Sequence, residues 1–424
     1  MQEPLVVEKA TYAKLMWRLL PLLFAGYIVA YLDRVNVGFA KLQMASELQL
    51  SDTIFGLGSG IFFIGYFLFE IPSNLVLHRV GARLWIARIM ITWGLLSGAM
   101  IFVSGPISFY VTRFLLGAAE AGFFPGIVLY LTYWFPARRR AAMMAFFMAA
   151  VPLSGVVGGP FSGWIMQTLP GVWNLTGWQW MFIGEAIPSI IVGVLIVLFL
   201  DDRISTARWL TELEKTWLAA RIAEEEDAKP QPALRTLFAQ PRLWLMALIY
   251  FCLVMGLYGI GFWLPTLIKA SGIKDTLEIG LLSAIPYIVT AIVMIPIGRS
   301  ADRRNERRWH VAIPAFAGAL GLVLSTFYAT SPWPALAALT LATAGIITSL
   351  PLFWSLPTAV LGGTAAAAGI AFINSLGNLA GFVSPYLVGW LKDQTHSTTS
   401  GMLALALSLL IGGLLTLSLP RRSD

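Results

Sequence analysis

The sequence predicts an all-α polytopic membrane protein with twelve transmembrane helices in two pseudo-symmetric six-helix bundles. Of its 424 residues, 58% are hydrophobic and only 12% are charged, against roughly 25% charged in a soluble domain. Apolar runs of about 20 residues, the length that crosses a bilayer, recur along the whole chain. The two halves of the chain also repeat each other. A soluble globular fold is therefore excluded.

Twelve apolar segments are long enough to be membrane spans. The segments cover about 17–40, 54–77, 84–104, 109–134, 141–166, 178–200, 242–268, 279–298, 310–330, 334–357, 365–391 and 401–419. Between the sixth and seventh, a polar stretch predicts a short surface helix and a proline-containing linker. We therefore predict an N-terminal bundle over residues 1–200, a cytoplasmic linker over 201–241, and a C-terminal bundle over 242–424.

The internal repeat is visible at one loop of each half. IPSNLVLHRVGARLW begins at Ile71 and IPIGRSADRRNERRW begins at Ile295, and matching positions, such as Trp85 and Trp309, are 224 residues apart. Two equivalent bundles around a midplane site are the usual architecture for alternating access. The repeat therefore favours a transporter.

Basic residues are distributed unevenly between the two sides of the predicted bundle. Fifteen lie in segments on the side of the N-terminus and four in loops on the other side. The positive-inside rule then places both termini in the cytoplasm. The net charge of +7 is explained by this anchoring and predicts no nucleic-acid partner.

The sequence lacks the residue clusters of enzymes and metal sites. It has one cysteine, Cys252, and its three histidines lie far apart in sequence, so we expect no metal, no cofactor and no enzymatic activity. No GxxxxGK[ST] loop is present, which disfavours ATP-driven pumping. A sensor would need a signalling domain, and the linker is too short for one.

Two adjacent charges interrupt the first span, PLLFAGYIVAYLDRVNVGFA. A charge at the bilayer centre is costly and is tolerated where it faces protein or water, so Asp33 and Arg34 mark a site. The guanidinium of Arg34 can hold a carboxylate through two hydrogen bonds, and Tyr27 and Tyr31 lie on the same helical face. The alternative is a structural pair of Arg34 with a carboxylate. Neighbours on a helix diverge by about 100°, so Asp33 is free to titrate separately.

The acids within the spans all belong to the first half: Asp33, Glu70, Glu120 and Glu185. We expect Glu120 to be mid-helix, on nearly the same face as Arg113. Burial favours its protonated form, which suits a proton carrier; the alternative is a static ion pair with Arg113. We expect Glu70 and Glu185 near helix ends as structural or gating groups, Glu70 with loop arginines.

Several motifs resemble a known family. GRSADRRNERR resembles the loop signature of the major facilitator superfamily, and RFLLG, from Arg113, resembles its fourth-helix arginine motif. YLDRVNVGFAKLQM, GIFFIGYFLFEIPSN, GAAEAGFFPG, LFWSLPT and GTAAAAGIAFINSLGNLAGFVSPYLVGW resemble the anion:cation symporter family, over nearly the whole chain. The resemblance implies a monomeric secondary transporter of the bacterial inner membrane that imports an organic carboxylate with protons. An uncoupled facilitator or an anion exchanger on the same fold remains an alternative.

The resemblance also implies roles for individual residues. It makes Asp33 and Glu120 the proton-coupling candidates, and it gives Asp302, Arg303 and Arg307 of the loop signature a structural or gating role.

Four further candidates for substrate binding lie on other helices. Tyr66 resembles a cavity tyrosine of the family, with core packing as the alternative. Asn374 and Asn378, one turn apart, are placed to bind substrate hydroxyls or to join helices. Trp354 is placed to form an aromatic wall or to anchor the membrane interface.

Overall fold

The computed structural model describes residues 2–136, 143, 147–226, 240–360 and 363–419, and these are helical with no strands. The helices are α1 Gln2–Val35, α2 Val37–Glu47, α3 Asp52–Val80, α4 Ala82–Gly98, α5 Pro106–Glu120, α6 Phe123–Trp134, α7 Ala150–Thr168, α8 Gly177–Phe199, α9 Glu212–Glu226, α10 Pro241–Ala270, α11 Thr276–Arg304, α12 Arg308–Phe327, α13 Pro332–Phe353, α14 Ser355–Val360, α15 Gly363–Asn378, α16 Ala380–Thr395 and α17 Thr399–Ser418.

The predicted all-helical membrane fold is confirmed. Ten helical segments among the described residues are long and apolar enough to cross a membrane. The fifth and eleventh predicted spans correspond to α7 and to α15 with α16. The arginines at 138–140 and 421–422, most of 141–146 and the linker segment 227–239 lie outside the described residues. The orientation and the three-unit division remain predictions.

Four of the predicted spans are broken beside candidate site residues. The first breaks at Asn36, the fourth at Gly122, the tenth at Trp354 and the eleventh at Leu379. Gly122 has a φ of +86°, a conformation that residues with a side chain rarely adopt. A Cβ there would also lie 2.4 Å from the hydroxyl of Ser73, so both the backbone conformation and the lack of space favour glycine. The expectation that Glu120 is mid-helix is therefore wrong, because this residue is the last of α5.

The two halves of the chain touch main chain to main chain near one end of the bundle. We call this the distal end; it is the end where α3 begins. A Cβ built on Gly56 of α3 would lie 2.3 Å from the carbonyl oxygen of Pro385 in α16, and one on Gly280 of α11 would lie 2.4 Å from the carbonyl oxygen of Gly159 in α7. Small residues permit such close approach of helices. The distal end is therefore closed.

Charged groups join the same two halves at the distal end. Asp52, at the start of α3, accepts from Lys41 of α2 at 2.5 Å and from Lys392 of α16 at 3.0 Å. Asp393 of α16 accepts from the backbone amide of Asp52 at 3.2 Å. The ammonium of Lys41 lies 3.4 Å from the ring centroid of Trp263 in α10. We call these five residues the distal clasp.

The clasp predicts that Asp393→Asn favours opening of the distal end. The carboxylate accepts from two amides of the first turn of α3, a contact typically worth about 1 kcal/mol and helped by the helix dipole. We expect nitroxides at Ser46→Cys and Gln394→Cys, read by double electron–electron resonance, to show a larger long-distance population. The native Cys252 is buried and adds little background.

Asp275→Asn is the matched control for this experiment. Asp275 caps α11 within the second half, accepting from the Glu278 amide at 2.8 Å, and it joins no helix of the first half. Its substitution should leave the distance distribution unchanged. Equal distributions for Asp393→Asn and Asp275→Asn would show that the clasp does not hold the distal end closed.

The surface helix α9 is tied to the first transmembrane helix. Lys14 of α1 donates to Glu214 at 2.8 Å, and the Thr211 amide donates to the same carboxylate at 2.9 Å. Partial burial acts to raise the pKa of Glu214, but these hydrogen bonds lower it below its ordinary value. A surface helix at this position was expected from the sequence.

Candidate functional site

The two charges of the first span lie in the last turn of α1 and take different partners. Nη2 of Arg34 donates to Oε1 of Glu120, and Nη1 donates to the hydroxyl of Tyr258 in α10 at 3.0 Å. Asp33 has no ion pair among the described residues. The divergence expected of helical neighbours is therefore what the structure shows. The guanidinium joins the end of α5 to the second half of the chain.

Aromatic rings surround the guanidinium of Arg34. Its Cζ lies 5.3 Å from the ring centroid of Tyr66 and 5.6 Å from that of Phe62, both on α3. Cations are attracted to aromatic faces at these distances. Tyr66 therefore lies at the site, within contact range of the Arg34 guanidinium, which also donates to Glu120 and to Tyr258.

Arg113 is buried beside this group without a carboxylate partner in the described part of the chain. Its Nη2 donates weakly to the Ser59 carbonyl oxygen at 3.4 Å, while its Nε and Nη1 lack partners. Its Cζ lies 5.0 Å from the Phe62 ring centroid. The alternative of a Glu120–Arg113 ion pair is wrong, because the break after α5 places the carboxylate against Arg34.

Asp33 is held by neutral donors. Oδ2 accepts from the indole of Trp93 at 2.7 Å and from the hydroxyl of Ser189 at 2.5 Å, and Oδ1 accepts from Ser97 at 3.3 Å. The residue is 1% exposed. Hydrogen bonds from neutral donors hold a carboxylate in place without neutralising it, so the group is suited to gaining and losing a proton.

Glu70 lies inside the molecule and not among the loop arginines. It follows Tyr66 by one turn of α3 and accepts from the Ser375 hydroxyl of α15 at 3.2 Å. The expectation of an arginine partner at a helix end is wrong, because α3 continues to Val80. This contact joins the two halves at a second point.

The remaining candidates surround the site to different degrees. Tyr27 is buried and stacks on Phe124 with ring centroids 5.3 Å apart, and Tyr31, one turn on, is also buried. Trp354 is half-buried, with its ring centroid 4.7 Å from that of Tyr250 in α10. An aromatic wall at Trp354 is compatible with this packing, and it stays a prediction.

Asn374 and Asn378 are half-buried on α15. The helix ends at Asn378, so the polar stripe does not continue as one regular helix into α16. Gly381 and Pro385, which follow the break, contact α3. Asn374 lies next to Ser375, the partner of Glu70.

The loop signature lies at the end of the molecule opposite the distal clasp. Arg307 donates to Asp302 at 2.6 Å, and Arg303 is exposed on the surface. Glu306 accepts from the Trp309 amide at 3.0 Å. Partial burial acts to raise the pKa of Glu306, but this hydrogen bond and others at the start of α12 lower it below its ordinary value.

Buried acids outnumber buried arginines around this site. If every group were ionised, the described part of the first half would hold an excess of negative charge, and an anion entering it would add more. Uncompensated buried charge is strongly unfavourable. Protonation of part of the group would relieve this cost. The buried acids and arginines of the transmembrane part of the described first half are Asp33, Glu70, Glu120, Glu185, Arg34 and Arg113; Lys41, also buried, is paired with Asp52 at the distal end.

Tyr258 is a site residue that no sequence motif identifies. This residue is 224 positions after Arg34, the offset of the internal repeat, so the two residues that donate and accept across the interface occupy equivalent places in the two halves. Aromatic residues are common in this chain, which hid the signal. The polar partners of Asp33, Trp93 and Ser189, had no motif that could identify them.

This fold and this buried, charged site between two halves define a membrane transporter. A model of the family described as "Major Facilitator Superfamily" matches residues 23–385. The chain belongs to the Major Facilitator Superfamily. It is accordingly a transporter and not an enzyme.

The similar proteins agree with this assignment. The chain is 50% identical, over 98% of its length and 93% of the relative, to a protein of Agrobacterium vitis named "Putative tartrate transporter". It is 42% identical, over 96% of its length and 94% of the relative, to a "Quinolone resistance transporter" of Acinetobacter baumannii. The fold is shared with a bacterial homologue of the human lysosomal transporter Spinster, in an inward-facing and occupied conformation (TM-score 0.75, 16% identity, 94% of this chain and 95% of the other). The expected organic-anion transporter family is thus supported.

Proposed function

We propose that the protein imports an organic carboxylate together with protons by alternating access. The observation that carries the proposal is the buried guanidinium of Arg34, which holds the carboxylate of Glu120 within a site richer in acids than in arginines. The relative named for tartrate supports a carboxylate substrate.

Competition for Arg34 is the basis of the coupling. A substrate carboxylate that binds the guanidinium displaces Glu120 from its ion pair, and Arg113, which makes no ion pair with Glu120 in the structure, is then the remaining cation of the group. A carboxylate in that position is neutralised most readily by a proton. Substrate binding and proton binding therefore favour each other. Asp33, held only by neutral donors, is the second proton site in this scheme.

The proposal includes the setting of the protein. It is a monomer of the bacterial inner membrane, with both termini and the linker over residues 201–241 in the cytoplasm. The bundles over residues 1–200 and 242–424 rock against each other. The closed distal end of the present structure then faces outward, and the site exchanges with the cytoplasm.

Uptake into proteoliposomes tests the proposal. We expect tartrate, or another member of a panel of dicarboxylic, aromatic and sugar acids, to accumulate above its external concentration when the interior is alkaline. Under a pH difference of about one unit, one coupled proton supports about tenfold accumulation, because a factor of ten corresponds to about 1.4 kcal/mol.

A protonophore separates symport from the alternatives. Accumulation should collapse to equilibrium when it is added, while liposomes without protein show neither effect. Equilibration that ignores the proton gradient would establish a facilitator, and transport that requires an anion on the opposite side would establish an exchanger.

A further inference from the structure

A fourth buried acid, Glu185, lies outside the contacts described so far. It is 1% exposed on α8, and Oε1 accepts from the Ser162 hydroxyl of α7 at 2.5 Å. Oε2 has no partner. The sequence placed Glu185 near a helix end, which is wrong, because α8 runs from Gly177 to Phe199 and Glu185 faces inward, two turns from its start.

Asn36 is the second unexplained polar group in this region. It lies at the break between α1 and α2, is 2% exposed, and makes no close hydrogen bond through Nδ2 or Oδ1 to any residue that the structure describes. Buried polar groups are nearly always hydrogen-bonded, and the nearby group that this amide can reach is the carboxylate of Glu185.

Asn36 and Ser162 line a common cavity between the two halves. The cavity has a volume of about 20 Å³ and is also lined by Ser154, Gly159 and Ser283. A space of this size accommodates about one water molecule. It lies where α7 meets α11, on the interface that is sealed main chain to main chain at the distal end. Opening of that end therefore exposes this cavity first.

Glu185 lies one helical turn on the distal side of the Asp33 site. Ser189, which donates to Asp33, follows Glu185 by four residues on α8, so both lie on one face. On α1, Asn36 follows Asp33 by three residues toward the distal end. A spatial series of polar groups thus runs inward from the distal end: the cavity, then Glu185, Ser189 and Asp33.

Charged groups near Glu185 do not neutralise it. Among the described residues, the next carboxylate along this spatial series is that of Asp33, and α7 carries no charged residue. Charged side chains on the other elements packed against α8 have contacts of their own: Arg34 with Glu120, Lys41 with Asp52, Lys14 with Glu214, Glu47 with Trp178, Arg18 against the Phe199 ring at the end of α8, and Arg88 on Trp85. Arg83 lies at the start of α4, where its backbone amide donates to Asp202 beyond the end of α8.

We propose that Glu185 is a proton-binding residue of the transport cycle, which takes a proton from the distal side and passes it to Asp33. This inference rests on the proposed function. The O–H bond of the Glu185 carboxylic acid breaks and an O–H bond forms on the Asp33 carboxylate. Ser189 relays the proton, giving its own hydroxyl proton to Asp33 and recovering one from Glu185 through water. Neutral Glu185 satisfies the unpartnered Asn36 by donating to its Oδ1.

Infrared difference spectroscopy on the reconstituted protein tests the protonation directly. At neutral pH we expect a carbonyl-stretch band of a protonated carboxylic acid that is missing from Glu185→Gln. Glutamine has the shape of the neutral acid and so preserves the fold. Ser154→Ala is the control for the cavity wall, because that hydroxyl bonds the Val151 carbonyl of its own helix at 2.7 Å; the band should persist.

Transport by Glu185→Gln supplies the second measurement. Under a pH difference of about one unit, we expect about tenfold less accumulation than wild type, since one coupled proton is lost, with substrate affinity unchanged. An unaltered band together with wild-type accumulation would overturn the inference while leaving the proposed function intact. Accumulation that requires sodium ions, with no such band in the wild type, would assign the site to a metal cation and also overturn it. Protonophore-insensitive transport by the wild type would instead reject the proposed function.

Discussion

Arg34→Lys should weaken substrate binding by ten- to a hundredfold or more. Lysine keeps the positive charge but lacks the planar fork that reaches Glu120 and Tyr258 at once. Hydrogen bonds that involve a charged group contribute about 1.5–3 kcal/mol, so losing one of two accounts for this factor. Binding measured by isothermal titration, with uptake at several substrate concentrations, checks the expectation.

Arg88→Lys is the matched control for this substitution. Arg88 lies on α4 of the same half, where its guanidinium stacks on the Trp85 ring at 3.8 Å, away from Arg34. Its substitution should leave affinity near wild type. Wild-type affinity in a folded Arg34→Lys protein would show that the guanidinium does not grip the substrate carboxylate.

Glu120→Gln should abolish proton-driven accumulation while leaving substrate counterflow intact. The amide has the shape of the protonated acid but cannot release a proton. It also removes the anion that competes for Arg34, so we expect substrate affinity to rise near neutral pH. Uptake under a proton gradient, and exchange at equal pH with substrate on both sides, separate the two modes of transport.

A purely structural Arg34–Glu120 pair predicts a different result. Removing one partner of a buried ion pair typically costs about 3–5 kcal/mol, so melting temperature, accumulation and counterflow would fall together. Glu47→Gln is the control, because Glu47 accepts from Trp178 near the distal surface and should change neither mode. A stable Glu120→Gln protein that still accumulates substrate would assign the coupling to Asp33.

The helices were predictable because lipid imposes a simple pattern on the sequence. A long apolar run can satisfy its backbone in a membrane only as a helix, so the number and order of spans follow from hydropathy. The local charge pair was also visible, because an acid beside a base within an apolar run is rare. The helical geometry then required Asp33 and Arg34 to face different partners, as they do.

The partners themselves depend on contacts between distant segments. Arg34 meets Glu120 because α5 stops at a glycine with positive φ, and a single Gly in an apolar run does not reveal which conformation it adopts. Glu70 meets Ser375 through the packing of α3 against α15, which no local pattern encodes. For Tyr258 alone among these partners, the sequence offers an indication of its contact with Arg34, because the two residues are separated by the offset of the internal repeat.

The glycine contacts between the halves have a consequence for insulation. Proton-coupled transport is wasteful if protons cross the membrane alone, and a continuous file of water molecules would allow this. At the distal end, the carbonyl oxygen of Pro385 lies 2.3 Å from the position that a Cβ on Gly56 would take, and that of Gly159 lies 2.4 Å from a Cβ on Gly280. A water oxygen needs about 2.5–3.0 Å from a hydrogen-bond acceptor, so it has no room at these positions either. These main-chain contacts therefore oppose leakage through their shape, in addition to the charged side chains of the distal clasp.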